Sequence, residues 1–213
     1  MPYSDYLIFM FNKVICPGLV FLCISVSAVG AELDQKAVAT FIDDLVKSDG
    51  FERTELTRVF SKATRSERIL KAMSRPAEKT KPWFEYKKHF ITDARINGGI
   101  AFWNVNASIL SKATEVYGVP EEIIVAIIGV ETAYGRITGG DPVVNALSTL
   151  AFHYPKGNMK RMTFFRAQLR HLFLMSREQR IDPLTLTGSY AGAMGIPQFM
   201  PESYRKFAVD FND

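Results

Sequence analysis

The chain has 213 residues, 47% of them hydrophobic, and a formal net charge of +4. That apolar fraction excludes a disordered chain and suffices for one packed domain or somewhat more. The slight excess of base suits a polyanion such as a cell-wall polymer, nucleic acid or lipid head groups, and equally suits an ordinary solvated surface.

The stretch 14–30, VICPGLVFLCISVSAVG, carries no charge. Lys13 precedes it, and Ala28, Gly30 and Ala31 lead into acidic ELD. That is the layout of a secretory signal peptide over 1–31, cleaved after Gly30 or Ala31. The upstream MPYSDYLIF fits a leader poorly, and a start at Met10 gives a cleaner one. A membrane anchor is the competing reading, but the run is marginal for spanning a bilayer and Pro17 interrupts it. Cys16 and Cys23 both fall in this segment, with Ile15 and Leu22 where a lipoprotein leader needs a small residue. Lipidation is therefore disfavoured. The mature chain has no cysteine, which excludes disulfides, a thiolate nucleophile and Cys-bound metal. Export without disulfides is compatible with a periplasmic protein of adequate core size.

From Leu33 the pattern is helical. Val38, Phe41, Ile42, Leu45 and Val46 recur at helix spacing until Gly50. Short helical pieces follow at 56–63 and 67–73, then a polar, proline-bearing loop at 74–82. A long helix is expected over 92–117, with Ile96, Ile100, Trp103, Ala107 and Leu110 tracing one face. Gly118, Val119 and Pro120 break it, and Pro120 suits the first turn of the next helix, where Glu121 and Glu122 meet a favourable dipole. That helix runs through IIVAIIGV and is expected to stop near Tyr134, with Gly135 as its cap. Another begins after Asp141. A further long one is expected over 158–180, burying Met162, Phe165, Leu169, Leu172 and Phe173. Strand signals are few.

Glu131 ends an unbroken apolar run. On a helix its neighbours one turn back are Ile127 and Ile128. Apolar surroundings and a helix C-terminus both favour the protonated form of a carboxyl group. A carboxylic acid kept protonated can donate to a leaving group. The structural alternative is a glutamate that emerges into solvent or pairs with Arg136. A second feature is the small-residue patch GSYAGAMG, which permits close backbone approach to a neighbouring helix or to a ligand. In the second case Ser189 and Gln198 would hydrogen-bond a polar polymer, Met194 would line the same groove, and Tyr134, Tyr190 and Phe199 would offer stacking faces. HExxH, P-loop, dinucleotide and GxSxG signatures are all missing. His89, His153 and His171 form no metal-ligand spacing, and His153 and His171 read as surface or half-buried residues.

Two segments, YGVPEEIIVAIIGVETAYGRITG and GSYAGAMGIPQFMPESYRKFAVDF, closely resemble the diagnostic segments of the lytic murein transglycosylase B family, and the similarity runs from about Leu33 to Asp213. The resemblance implies a mainly α, lysozyme-like fold of the α+β superfamily. It would comprise a helical domain over 32–105 packed on a partial catalytic core over 106–213. It implies cleavage of peptidoglycan between N-acetylmuramic acid and N-acetylglucosamine, with Glu131 as sole acid and base and a 1,6-anhydro ring as product. Ser189 and Gln198 match groove residues near the acid. A substrate-supplied nucleophile suits the lack of a second carboxylate, since Asp141, Asp182 and Glu202 look like helix-start residues. Hydrolysis, as in a lysozyme, and peptidoglycan binding without cleavage are the alternatives. Relatives continue into a calcium loop of EF-hand type. Here DFND supplies only its opening, with Asp210 and Asn212 at ligand positions, so no calcium or other cofactor is expected for the chain as it stands. The expected state is a periplasmic monomer bound to glycan strands, without nucleic acid and without stable membrane insertion after leader cleavage.

Overall fold

The computed structural model describes residues 32–74 and 82–209. The leader over 1–31 with its two cysteines, most of the expected loop at 74–82, and the calcium-loop opening at Asp210 and Asn212 lie outside the described residues.

Asp34 starts helix α1 (Gln35–Asp49) by accepting the Ala37 amide at 3.1 Å, and Gly50 ends it with φ 66°. Val38, Phe41, Ile42 and Leu45 form its buried stripe, as their spacing requires. Helices α2 (Arg53–Phe60) and α3 (Glu67–Ser74) follow, and the first begins three residues before the expected piece. A short helix, α4 (Trp83–Tyr86), has no counterpart in the sequence reading. Helix α5 (Asp93–Tyr117) is capped by the Thr92 side chain and closed by Gly118. It turns through Pro120 into α6 (Glu121–Thr132). Then come α7 (Val143–His153), α8 (Met159–Glu178), capped by Asn158, and α9 (Pro201–Phe207). Two short strands, β1 (Asp141–Pro142) and β2 (Thr187–Gly188), pair antiparallel with Asp141 opposite Gly188.

The core is built around α7 and α8. Leu147, Leu150, Leu169 and Leu172 are each 0% exposed, and complete burial of such a side chain stabilises by about 1.5–3 kcal/mol. Phe41 packs edge-on against Phe60 and Phe152, and Phe60 meets Phe173 at 5.6 Å between centroids. Polar residues of α7 reach the α2–α3 connection. Asn145 exchanges hydrogen bonds with Thr64, and the Ser66 amide donates to Thr149 Oγ1 at 3.0 Å. His153 Nε2 accepts the Asp34 amide at 3.0 Å, so its unprotonated form ties the start of α1 to the end of α7. This one apolar cluster takes side chains from both sides of residue 105, and the division drawn there falls inside α5.

Helices α5 and α6 are less covered. They pack on each other, tied at one end by Trp103 Nε1 donating to Glu121 Oε2 at 2.6 Å. Among the described residues, α5 buries Gly99 and Leu110, while Ile96, Ile100 and Ala107 of the expected stripe are exposed. The covered face of α5 runs instead through Gly99, Phe102, Trp103, Asn106 and Leu110, so the expected stripe shares only Trp103 and Leu110 with it.

Candidate functional site

Glu131 lies in the last turn of α6, at the helix end that its sequence position indicates. The side chain is exposed, and its apolar neighbours Ile127 and Val130 are about half exposed, at 52% and 47%. The described residues therefore present the carboxylate on an apolar surface but do not enclose it, and the expected desolvation is not built in. No ion pair joins Glu131 to Arg136 among the described residues. The Arg136 Nε instead donates to the Ala133 carbonyl at 3.0 Å.

The helix stops at Thr132, two residues before the expected end at Tyr134, with Ala133 rather than Gly135 as its cap. Ala133 (φ 50°), Tyr134 (φ 64°) and Gly135 (φ 80°) are all left-handed. For each of the two non-glycines that conformation costs roughly 1–2 kcal/mol, and it persists where the surroundings over-determine it. The determinant is Thr132, which is 1% exposed. Its Oγ1 donates to the Ile196 carbonyl at 2.9 Å and accepts the Gly135 amide at 3.0 Å. One hydroxyl thus closes the turn after Glu131 and fastens it to the second motif.

That second motif is a small hairpin. Met194 and Phe199 exchange backbone hydrogen bonds at 2.9 and 3.0 Å, and Gly188 bridges to Met194 on the side of β2. Gln198 holds the turn with a left-handed backbone, φ 52°, and its Nε2 donates to Thr138 O at 3.0 Å and Gly195 O at 2.9 Å. Gly139 and Gly188 meet backbone to backbone, so a Cβ on Gly139 would overlap the Gly188 carbonyl. The loop leaving Glu131 is consequently attached to the hairpin region at Thr132, Thr138 and Gly139. Ser189 Oγ accepts the amides of Ala191 and Ala193 at 3.3 and 3.0 Å, which leaves its own proton to donate elsewhere. The whole stretch 183–201 has no side chain charged at neutral pH.

The structure thus places Glu131, Ser189 and Gln198 on connected backbone. Tyr190 is exposed and offers a ring face, and Phe199 is half-buried beside Gln198. Met194 and Tyr134 sit elsewhere than expected. Met194 is 8% exposed and belongs to the central apolar cluster, because its bridge to Gly188 turns the side chain inward. Tyr134 fills a socket of Gly98, Gly99 and Gly129, with its hydroxyl donating to the Arg95 carbonyl at 2.9 Å, so its ring serves helix packing. Of the three other carboxylates, Asp182 accepts the Leu184 amide at 3.0 Å as a helix-start residue should, and Glu202 lies in the first turn of α9. Asp141 does not start a helix: it stands in β1 and pairs with Arg68. Two hydrogen bonds, at 2.9 and 2.6 Å from Arg205, hold the Glu178 carboxyl below its usual range. Sequence reasoning missed Thr132 and Arg95. The signal for Thr132 was its place directly after Glu131; Arg95, on another helix, left none. Among the described residues no group of three or more His, Cys, Asp or Glu is placed to hold a metal ion. No helix among them is long and apolar enough to cross a membrane.

Residues 33–213 match the transglycosylase SLT domain. The chain belongs to that family. Membrane-bound lytic murein transglycosylase B of Escherichia coli is 45% identical over 181 residues, covering 81% of this chain and 49% of the relative. Soluble lytic transglycosylase SltB1 from Pseudomonas aeruginosa superposes with a TM-score of 0.78 at 54% identity, over 82% of this chain and 58% of that one. SltB3 of the same organism, in complex with NAG-anhNAM-pentapeptide, gives 0.75 at 28% identity, over 86% of this chain and 47% of that one. The mainly α, lysozyme-like fold of the SLT domain is therefore this chain's fold. The chain spans about half the length of the curated relative it matches.

Proposed function

We propose that this chain acts on peptidoglycan as a lytic transglycosylase, cleaving the bond between N-acetylmuramic acid and N-acetylglucosamine with Glu131 as the only acid and base. One observation carries the proposal: Thr132 joins the turn after Glu131 to the hairpin that bears Gln198, in a chain of the SLT domain family. The names of its relatives, lytic murein transglycosylases, support the reaction class, and the anhNAM ligand held by one of them supports the product.

In this reading the protonated Glu131 donates to the glycosidic oxygen as the bond to C1 breaks. The resulting carboxylate then takes the proton of the muramic C6 hydroxyl. The C6 oxygen closes on C1 to give the 1,6-anhydro ring, and the acid is regenerated without consumption of water. No second carboxylate is required, because the nucleophile comes from the substrate. The open apolar surface around Ile127 and Val130 is covered by the sugar itself, so bound glycan supplies the desolvation that the free protein lacks. Ser189 donates its free proton to the glycan, Gln198 accepts through Oε1, and Tyr190 and Phe199 support ring faces. The chain works as a periplasmic monomer on glycan strands, exported by residues 1–31 and not held in the membrane afterwards, and the steps above use no cofactor.

The test is digestion of purified sacculi with mass spectrometry of the released material. The wild-type chain is expected to release anhydro-muropeptides. Glu131→Gln is expected to reduce their release by about 10²–10⁴-fold, the range of general acid–base catalysis, with unchanged thermal unfolding. Reducing-end muropeptides in place of anhydro products would establish hydrolysis. Sacculus binding with no released product would establish a binding role.

A further inference from the structure

Glu131 is exposed, so its direction depends on the backbone that carries it. Two groups on α5 and the exit turn hold that backbone without touching the acid. The Arg95 guanidinium donates through Nη1 to the Gly129 carbonyl and, at 3.3 Å, to the Val130 carbonyl. These are late carbonyls of α6, where a cationic donor is favoured by the helix dipole and by charge-assisted hydrogen bonding. The Arg95 guanidinium also lies 5.5 Å from the centroid of the Phe90 ring. In return, Tyr134 sends its hydroxyl to the Arg95 carbonyl at 2.9 Å. Its ring closes on glycines of both helices: a Cβ on Gly99 or on Gly129 would stand 2.6 Å from the hydroxyl oxygen. Phe102 flanks the same ring at 5.7 Å between centroids. The connection is a closed loop from residue 95 to 129 and 130, along the chain to 134, and back to 95. Glu131 lies inside that loop.

We propose that Arg95 and Tyr134 are positioning residues for Glu131, forming a reciprocal clamp that sets the last turn of α6 against the hairpin. The inference rests on the assignment of Glu131 as the acid. The clamp explains two local features together. Gly98, Gly99 and Gly129 are small because the tyrosine ring occupies the space a Cβ would take. Ala133 and Tyr134 stay left-handed because the turn is held from α5 as well as through Thr132. A misplacement of the order of 1 Å at a reacting group can lower the rate by about 10²-fold, so the clamp acts on turnover more than on binding.

The experiment uses the full chain with sacculi as substrate and compares Tyr134→Phe, Arg95→Met and Arg95→Lys with the wild type and with Glu131→Gln. Tyr134→Phe and Arg95→Met are expected to lower kcat by about 10-fold or more, with KM within about twofold. Arg95→Lys, which keeps a cationic donor, is expected to recover most of the Arg95→Met loss. Independently of turnover, amide hydrogen exchange across 129–135 is expected to accelerate in Tyr134→Phe while the α7 and α8 amides keep wild-type protection. Wild-type kcat in Tyr134→Phe and Arg95→Met, alongside an inactive Glu131→Gln, overturns the clamp and leaves the acid in place. So does unchanged exchange across 129–135, or equal losses in the lysine and methionine variants. Product release that survives Glu131→Gln overturns the acid assignment, and the positioning role with it.

Discussion

Helices α6 and α7 have similar apolar composition, yet nine of the eleven residues of α7 are buried and three of the twelve of α6. Helix α7 lies among α1, α2, α3 and α8, and its Asn145 and Thr149 are spent on holding the α2–α3 connection. Helix α6 is met by α5 on one flank and by the hairpin at its end, and the rest of its surface stands open among the described residues. The two helices divide the labour of the molecule. One supplies most of the burial; the other contributes little to the core and carries Glu131, the proposed acid.

Substitutions should separate the two roles. Leu169→Ala, opposite α7 in the core, is expected to cost about 2–5 kcal/mol, read from denaturant unfolding. A loss below 1 kcal/mol would show that the α7–α8 interface is not where stability resides. Thr132→Val keeps the shape of its side chain and removes the hydroxyl's hydrogen bonds to the Ile196 and Ile128 carbonyls and from the Gly135 amide. It leaves the Gly135 amide without that partner, and the expected cost is about 1–3 kcal/mol. Wild-type stability in this variant would mean that the two motifs are joined by other means.

A smaller effect is expected from pH. Burial, first, pushes the imidazoles of both His153 and His171 below the ordinary value of 6.5. At His171 the Glu202 carboxylate opposes that shift, while Arg205, Lys206 and Arg170 add to it. A histidine with a depressed folded value takes up its proton later in the folded chain than in the unfolded one. Stability is therefore complete above pH 6.5, falls as the pH drops below it, and levels off once the folded value is passed. Glu178, Asp182 and Glu202 are held below their ordinary 4.5, 3.8 and 4.5, so their contribution is lost only at still lower pH. A Tm that falls between pH 7.5 and 5, with a shallower fall in His171→Gln, is the expected record. The smallest effect belongs to the open helix: Ile127→Ala should change unfolding stability by no more than about 0.5 kcal/mol.

The same contrast accounts for what could be read in advance. Phe165, Leu169, Leu172 and Phe173 of α8 were legible because a buried stripe follows from 3.6-residue periodicity. Ile96 and Ile100 follow the same rule and are exposed, since periodicity defines a face without specifying what covers it. The end of α6 was placed near Tyr134, with Gly135 as the usual glycine cap, but Thr132 and the Tyr134 socket force the turn earlier. Both depend on residues distant in sequence: Ile196 for the first, Gly98 and Gly99 for the second. That the segments bearing Glu131 and Gln198 belong together was legible from two contiguous motifs, and Thr132 and Gln198 join them. The burial of Met194 was not, because a thioether among glycines and alanines does not reveal whether its strand turns it toward a ligand or toward the core.

In the proposed reaction, the lack of formal charge from 183 to 201 would separate two stages of encounter with the wall. Any hold exerted by Ser189, Gln198 and Tyr190 is made of neutral hydrogen bonds and ring faces, which added electrolyte barely alters. The chain's net charge of +4 would govern approach to an anionic polymer and is screened within about 10 Å at 0.1 M salt. Raising ionic strength should therefore slow capture of the sacculus while leaving the lifetime of the sugar-bound state nearly constant.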